Sequence, residues 1–183
     1  MKRFASVIAL VVVSAAPLLA QPSPAPPVDE TLAPYASTAD SVTLADGRKI
    51  HFVCMGRGSP TVILTAGLGD WSSSWSTVQA SIAKTTRACA GDRPGFGLSD
   101  AGSQPQNSAT TTADLEAALA QGSILGPYVL VGHSLGSLES LLYADRHPNL
   151  VVGMVLVDPT VLDQAAMMMR VAPALAEARA AKR

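Results

Sequence analysis

Residues 132–136 read Gly-His-Ser-Leu-Gly, and this spacing of residue types points to nucleophilic chemistry. The pentapeptide directly follows the apolar run 128–131 and directly precedes a helix-like segment, residues 135–143. A tight turn from a strand into a helix strains its central residue, and the flanking glycines lack the Cβ atoms that would collide there. The pattern predicts a nucleophile elbow in which Ser134 presents its hydroxyl above the sheet. The alternative is a glycine-rich turn that contains an incidental serine.

A serine hydroxyl at neutral pH is a weak nucleophile, so Ser134 would need a histidine base, a carboxylate that orients the histidine, and amide donors for an oxyanion. The chain has three histidines. His147 lies at the far end of the helix that begins at the elbow, and a rise of 1.5 Å per residue carries it roughly 18 Å away. We expect the side chain of His133 to point away from Ser134 and His51 to lie on an early strand. None of the three is therefore predicted to be the base.

The elements that position this serine alternate between strands and helices. Residues 41–44 and 49–55 predict two short strands, joined by the hairpin turn signal Asp46-Gly47. Beyond them, β-branched apolar runs predict strands, and alanine-rich or leucine-rich runs predict helices. In chain order these are strand 61–65, helix 75–83, strand 87–90, helix 110–120, strand 128–131, a helix from 135 to about 147, and strand 151–157. An antiparallel pair followed by strand-helix-strand units predicts an α/β fold with a mostly parallel sheet.

The composition limits the class of function. A chain of 183 residues, of which 48% are hydrophobic, can build one domain with a core. A formal net charge of −1 argues against a nucleic-acid or polyanion partner. The histidines and cysteines do not have the spacing of metal ligands, and no phosphate-binding glycine loop follows the first strand, so neither a metal nor a cofactor is expected.

The first 20 residues have the three parts of a secretory signal peptide: a positive start at 1–3, an apolar stretch at 4–13, and small residues up to a cleavage site after Ala20. The apolar stretch is shorter than the ~20 residues that span a bilayer, which favours export with cleavage over an uncleaved anchor. We expect an exported protein, periplasmic or secreted, with no stable membrane span after cleavage. Residues 21–40 are rich in proline and predict a stiff linker before the domain.

The chain contains two cysteines, Cys54 and Cys89. In an oxidising compartment such a pair can form a disulfide. The alternative is two ordinary buried thiols on neighbouring strands. The two residues by themselves leave both possibilities open.

Three segments, in the same order along the chain, resemble motifs of the α/β-hydrolase fold family and in particular of its serine esterase-like members, over roughly residues 41–159. The elbow at 132–136 is the most specific of them. Residues 66–70, Ala-Gly-Leu-Gly-Asp, followed by Trp75, are similar to the loop after the third strand that supplies one oxyanion-hole amide in this family. Residues 92–100 are similar to the family's turn after the fourth strand, in which an aspartate and an arginine fix neighbouring loops.

The resemblance implies an α/β-hydrolase fold, with a mostly parallel sheet and an antiparallel first hairpin. It also implies that Ser134 is the nucleophile and that the backbone N–H groups of Leu135 and Leu68 form the oxyanion hole. Asp158, at the end of the strand after the elbow helix, stands where some family members carry the catalytic acid. The alternative for Asp158 is a residue that caps or orients a loop.

The resemblance extends to substrate contacts and to the cysteines. The candidates for binding substrate are His133 on the elbow, Gly67 in the oxyanion loop and Trp71 directly after that loop. For Trp71 a packing role of its aromatic side chain is also open. The strand order of the family makes the strands of Cys54 and Cys89 neighbours, which favours the disulfide.

By resemblance, the protein is expected to be an exported serine hydrolase that cleaves a carboxylic ester or related acyl bond of a small molecule through an acyl-enzyme on Ser134, without a cofactor. In this family the acid and the histidine follow the nucleophile in the chain. We therefore expect residues 41–183 to be an incomplete hydrolase core, a fragment whose last strands and catalytic histidine would follow Arg183, with 160–183 the start of a lid or tail. The alternative is a catalytically inactive α/β-hydrolase-like binding module that lacks the histidine.

Overall fold

The computed structural model of the protein describes residues 29–39, 41–161 and 163. The predicted signal peptide, the first part of the predicted linker and most of the predicted lid or tail lie outside the described residues. The division of the chain into signal peptide, linker and core therefore stays a prediction.

Seven strands form two sheets in the described part of the chain. They are β1 (Val42–Thr43), β2 (Lys49–Ile50), β3 (Phe52–Met55), β4 (Thr61–Thr65), β5 (Ala88–Gly91), β6 (Tyr128–His133) and β7 (Val151–Val157). β1 and β2 form an antiparallel hairpin, and the other five strands form a sheet in the order β3-β5-β4-β6-β7. β3 runs antiparallel to β5, and the three remaining neighbouring pairs are parallel. The predicted mostly parallel sheet with an antiparallel first hairpin is confirmed.

The predicted strand 49–55 is divided at His51, so that β2 stays in the hairpin and β3 joins the main sheet. The imidazole of His51 is buried, with Nδ1 2.8 Å from a carboxylate oxygen of Asp92 and Nε2 2.8 Å from the carbonyl oxygen of Ser37. The backbone N–H of His51 donates to Ser99 Oγ at 2.9 Å and not to a neighbouring strand. Because the chain changes its pairing partner at His51, from β1 to β5, the expectation of one continuous strand is wrong.

Three α-helices connect the strands in the described part: α1 (Ser76–Ile82), α2 (Ser108–Gln121) and α3 (Leu135–Arg146). α2 begins two residues before the predicted start because Asn107 caps it. The Asn107 side chain accepts from the N–H groups of Ala109 and Thr110 at 2.9 and 3.1 Å, and the Thr110 hydroxyl accepts from the N–H of Asn107 at 3.0 Å. This capping box satisfies amides that the first helical turn leaves free. None of the helices among the described residues is long and apolar enough to cross a membrane.

The main sheet separates two apolar clusters. Alternate residues of β4 enter them, Ile63 on one side and Val62 and Leu64 on the other, because successive side chains of a strand point to opposite faces. The larger cluster lies under α2 and α3 and comprises Val42, Leu44, Ile50, Phe52, Ile63, Cys89, Ala118, Leu119, Ile124, Tyr128, Leu130 and Tyr143. The smaller lies on the side of α1 and comprises Val62, Leu64, Trp75, Ala88, Ala90 and Val131. β4 is buried on both faces, which suits a central parallel strand.

Part of the predicted linker packs against the domain. The segment Glu30–Ala36 forms a 3₁₀ helix, and its Tyr35 side chain is buried. The Tyr35 hydroxyl donates to the Gln79 side-chain oxygen at 2.8 Å, and the Gln79 amide group donates to the carbonyl oxygens of Val53 and Ala88 at 2.6 and 3.0 Å. This chain of buried hydrogen bonds fastens the segment to α1 and to the end of the main sheet that holds β3 and β5.

A disulfide joins Cys54 of β3 to Cys89 of β5. The two residues face each other in the antiparallel ladder, with their Cα atoms 4.1 Å apart. Cys89 is buried and Cys54 is half-buried. The bond therefore ties the antiparallel strand of the main sheet to its neighbour.

Strand β7 lies at the opposite end of the main sheet and pairs with β6. Several of its apolar side chains are exposed, including Val152 at 62% and Val155 at 51%. Among the described residues, β7 therefore presents an apolar sheet edge.

Candidate active site

Ser134 lies between His133, the last residue of β6, and Leu135, the first residue of α3. Its backbone has φ 49° and ψ −115°, a conformation that residues with a Cβ atom rarely adopt. Two of its backbone hydrogen bonds join it to the segment 157–160. The N–H of Ser134 donates to the carbonyl oxygen of Val157 at 3.0 Å, and its own carbonyl oxygen accepts from the N–H of Thr160 at 3.2 Å. The strained strand-to-helix turn, here called the Ser134 turn (residues 132–136), is therefore tied to the end of β7.

Close backbone contacts explain both glycines of the Ser134 turn. A Cβ atom on Gly132 would lie 2.5 Å from the carbonyl oxygen of Gly136. A Cβ atom on Gly136 would collide with the carbonyl oxygens of Thr65 and Ala66. The first turn of α3 therefore packs directly against the chain where it leaves β4.

The loop after β4, residues 66–70, lies beside the Ser134 turn. Leu68 at its tip is 75% exposed, whereas Gly67 is buried. The ring of His133 lies against this loop, because a Cβ atom on Gly67 would be 2.9 Å from His133 Nδ1. Trp71, which follows the loop, is 43% exposed. Two of the substrate-binding candidates, Gly67 and His133, are thus in contact, and their role stays a prediction.

A buried ion pair supports the loop after β4. Nε of Arg93 donates to Oε1 of Glu139 at 2.6 Å, and the two side chains are 8% and 3% exposed. The same guanidinium donates to the carbonyl oxygen of Gly67 at 2.8 Å and to that of Ala66. The hydroxyl of Thr111 donates to the same Glu139 oxygen at 2.6 Å. Segment 92–100 was expected to fix neighbouring loops, whereas nothing in the sequence identified Glu139 as the partner of its arginine.

Asp92 fixes a second set of segments around the site. Its carboxylate accepts from the backbone N–H groups of Ser72 and Leu98 at 2.7 and 2.9 Å and pairs with Nδ1 of His51 at 2.8 Å. Burial raises the pKa of Asp92, but these hydrogen bonds lower it by more, so its pKa lies below its usual value. Gly97 has φ 53°, and a Cβ atom there would collide with the Asp92 carboxylate. The turn after β5 therefore closes around a charged side chain.

The three histidines have different surroundings. His147 follows the last residue of α3, at the opposite end of the helix from Ser134, and its Nε2 is 3.1 Å from a carboxylate oxygen of Glu116. His51 is held in the buried contacts described above, and His133 lies against the loop after β4. In the described part of the chain, no hydrogen bond joins the hydroxyl of Ser134 to His133 or His147.

Asp158 directly follows β7, at the same edge of the sheet as Ser134. It is exposed, and its φ of 42° places it in the left-handed region. Two residues later, the hydroxyl of Thr160 lies 3.5 Å from Ser134 Oγ, at the upper limit for a hydrogen bond. No sequence pattern singled out Thr160, because its contact with Ser134 depends on how β7 pairs. The role of Asp158 as an acid stays a prediction.

Trp75 is buried in the smaller cluster. Across the described ranges, no group of three or more histidine, cysteine, aspartate or glutamate side chains could hold a metal ion.

Comparisons with known proteins agree with this architecture. A family model described as "alpha/beta hydrolase fold" matches residues 60–179. An uncharacterised protein of Schizosaccharomyces pombe is 42% identical over 81 residues, which are 44% of this chain and 15% of that protein. The uncharacterised protein YqjL of Bacillus subtilis is 30% identical over 108 residues, which are 59% of this chain and 43% of YqjL.

A crystal structure of an α/β hydrolase from Novosphingobium aromaticivorans is similar at a TM-score of 0.58, with 31% identity, and the match covers 63% of this chain and 42% of that one. The chain thus spans less than half the length of each of these proteins.

Proposed function

The chain belongs to the α/β-hydrolase fold family, and on this basis we propose that the protein is an exported serine hydrolase that cleaves a carboxylic ester or a related acyl bond of a small molecule. The observation that carries the proposal is the strained backbone of Ser134, with φ 49° and ψ −115°, between a parallel strand and a helix. Such strain persists only where the surrounding structure enforces it, and at this turn it supports the interpretation of residues 132–136 as a nucleophile elbow.

In the proposed reaction, Ser134 Oγ forms a bond to the acyl carbon while its proton passes to a general base. The carbonyl π electrons move onto the oxygen and return when the bond to the leaving alcohol breaks, and the alcohol takes the proton from the base. Water then attacks the acyl-enzyme in the same way. In this second half of the reaction the carboxylic acid product leaves, and the hydroxyl of Ser134 is restored.

Two backbone N–H groups, those of Leu135 and Leu68, would stabilise the negative oxygen of the tetrahedral intermediate. The first belongs to the opening turn of α3, where aligned peptide dipoles favour negative charge. The second belongs to the loop after β4, which packs against that turn. Removing one such donor typically lowers turnover by about 10²–10³.

The proposal gives the role of base to none of the three histidines of the chain, so it requires a base from outside these 183 residues. His147 is bound to Glu116 at the far end of α3, and His51 is buried beside Asp92. His133 lies against the loop after β4 and is proposed, with Gly67, to contact the substrate. Asp158 remains the candidate acid.

Export is part of the proposal and has its own support. The signal-peptide pattern of the first 20 residues indicates secretion. The disulfide between Cys54 and Cys89 fits an oxidising compartment, in which such bonds persist. Export predicts that protein recovered from the periplasm or the medium begins at Gln21. Recovery of the chain from the cytoplasm alone, beginning at Met1, would contradict it.

The experiment that tests the chemistry is labelling of the purified full-length protein, with its base, by a fluorophosphonate, followed by mass spectrometry of the labelled peptide. We expect the label on Ser134 and its loss in Ser134→Ala. Ser74→Ala is the matched control, because Ser74 is an exposed serine on a nearby 3₁₀ turn, and it should label like the wild type. Hydrolysis of an ester substrate by Ser134→Ala at the wild-type rate would contradict the proposal.

The second candidate is a catalytically inactive binding module of the same fold. In the described part of the chain, neither His133 nor His147 forms a hydrogen bond with the hydroxyl of Ser134, and this observation favours the second candidate. It predicts a folded protein, with the thermal transition of a single domain, whose Ser134 does not react with the fluorophosphonate.

A further inference from the structure

We propose that Arg93 and Glu139 are positioning residues that set the direction of the oxyanion-hole amides, an inference that rests on the proposed function. Arg93 makes three contacts with one guanidinium group: the carboxylate of Glu139 and the carbonyl oxygens of Ala66 and Gly67. Those two carbonyls belong to the peptide groups that carry the N–H of Gly67 and the N–H of Leu68.

Because the peptide group is planar, a contact with its carbonyl oxygen also fixes the direction of its N–H bond. In a trans peptide the C=O and N–H bonds lie in one plane and point in opposite directions. Because Arg93 binds the carbonyl oxygen of Gly67 at 2.8 Å from inside the protein, the N–H of Leu68 must point outward. The positive guanidinium also polarises the peptide group, which makes that N–H a stronger donor.

Glu139 connects the same arginine to the other half of the oxyanion hole. It lies on α3, five positions after Ser134, so its place is fixed relative to the N–H of Leu135 at the start of the helix. Its carboxylate binds Arg93 at 2.6 Å and is held from α2 by the hydroxyl of Thr111 at 2.6 Å. The ion pair thus sets the loop after β4 and the start of α3 at a defined separation.

The burial of this pair argues for such a role. The Arg93 and Glu139 side chains are 8% and 3% exposed, and removing two charges from water is so costly that an apolar pair of similar volume is often at least as stable. A second ion pair, Arg146 with Glu116, also joins α3 to α2, but its side chains are 35% and 24% exposed and it lies far from Ser134. It serves as the natural control.

The test separates the number of intact sites from the reactivity of each site. In fluorophosphonate labelling, the final amplitude counts the folded sites, and the rate constant reports how well each site stabilises the developing oxyanion. The first variant is Arg93→Lys, which keeps the charge but loses the planar guanidinium with its several N–H donors. The second is Glu139→Gln, which keeps an oxygen acceptor. The controls are Arg146→Lys and Glu116→Gln.

We expect Arg93→Lys to lower the labelling rate constant by about ten- to a hundredfold, below the loss of a whole oxyanion donor. Glu139→Gln should lower it by about three- to tenfold, because the charge that orients Arg93 is removed and its acceptor is kept. The amplitude should stay near that of the wild type, and both controls should label within twofold of it. For an ester substrate, kcat should decrease, and KM should stay within twofold of the wild-type value.

Other outcomes overturn the inference in distinguishable ways. A lower amplitude with an unchanged rate constant would make the pair merely structural. If Arg93→Lys does not fold, Glu139→Gln decides the question alone, and a wild-type rate constant there refutes the inference. If the wild type itself does not label Ser134, the proposed function fails and this inference falls with it.

Discussion

The carboxylate of Asp92 is a buried charge whose hydrogen bonds outweigh the cost of its burial. It binds Nδ1 of His51 and the N–H groups of Ser72 and Leu98, and so connects the start of β3, the turn after β5 and the 3₁₀ turn that precedes α1. Three donors stabilise the ionised form, which is why the pKa of Asp92 is lowered even though burial raises it. Its contribution to stability must therefore depend on pH.

The sign of that dependence follows from the lowered pKa. A carboxylate whose folded-state pKa lies below its ordinary value of 3.8 stabilises the protein above that value, and the contribution is lost as the pH falls through the folded pKa. We expect Asp92→Asn to lower the free energy of unfolding by about 3 kcal/mol at pH 7, because it breaks a buried pair. The difference between variant and wild type should shrink below about pH 4.

Urea unfolding followed by circular dichroism at a series of pH values measures the effect. Asp145→Asn is the control, since Asp145 is exposed on α3 and should change the unfolding free energy by less than about 0.5 kcal/mol. A penalty for Asp92→Asn that is the same at acidic and neutral pH would contradict the role assigned to the charge.

Among the elements, the disulfide gives β3 a covalent tie that its hydrogen bonds with β5 alone would not provide. Cys54 and Cys89 are 35 residues apart in sequence, and closing a loop of that length restricts the unfolded chain. We expect Cys54→Ala/Cys89→Ala to lower the free energy of unfolding by about 3–4 kcal/mol. Urea unfolding measures the loss, and the reduced wild type is the matched comparison. A double variant as stable as the oxidised wild type would show that the bond contributes nothing.

The elements also show how far local sequence determines this fold. The Ser134 turn was predictable because its signal lies in five consecutive residues between a strand and a helix. The start of α2 at Asn107 could have been read from its capping residues, which are also local. The break in the strand at His51 and the pairing of Arg93 with Glu139 could not be predicted from local sequence. Asp92 lies 41 residues from His51, and Glu139 lies 46 residues from Arg93. Only the folded sheet brings them together.

The two ends of the main sheet differ in how they are protected. At one end, β3 is tied to β5 by the disulfide, and Gln79 connects it by hydrogen bonds to the segment that carries Tyr35. At the other, β7 exposes Val152 and Val155 among the described residues. An exposed apolar edge strand offers unpaired backbone groups to another chain. We therefore expect the protein to associate with itself through this edge of its described part.

The substitution Val155→Lys tests this surface, because a charge on an edge strand opposes strand addition and a half-exposed valine contributes little to the core. We expect several-fold slower aggregation by light scattering and a larger monomer fraction in sedimentation velocity, with a change in unfolding free energy below about 0.5 kcal/mol. The matched control is Val78→Lys on α1, where a valine of 41% exposure lies away from any sheet edge and the same charge is added. If both variants slow aggregation equally, net charge is responsible; if only Val155→Lys does so, the contact runs through β7.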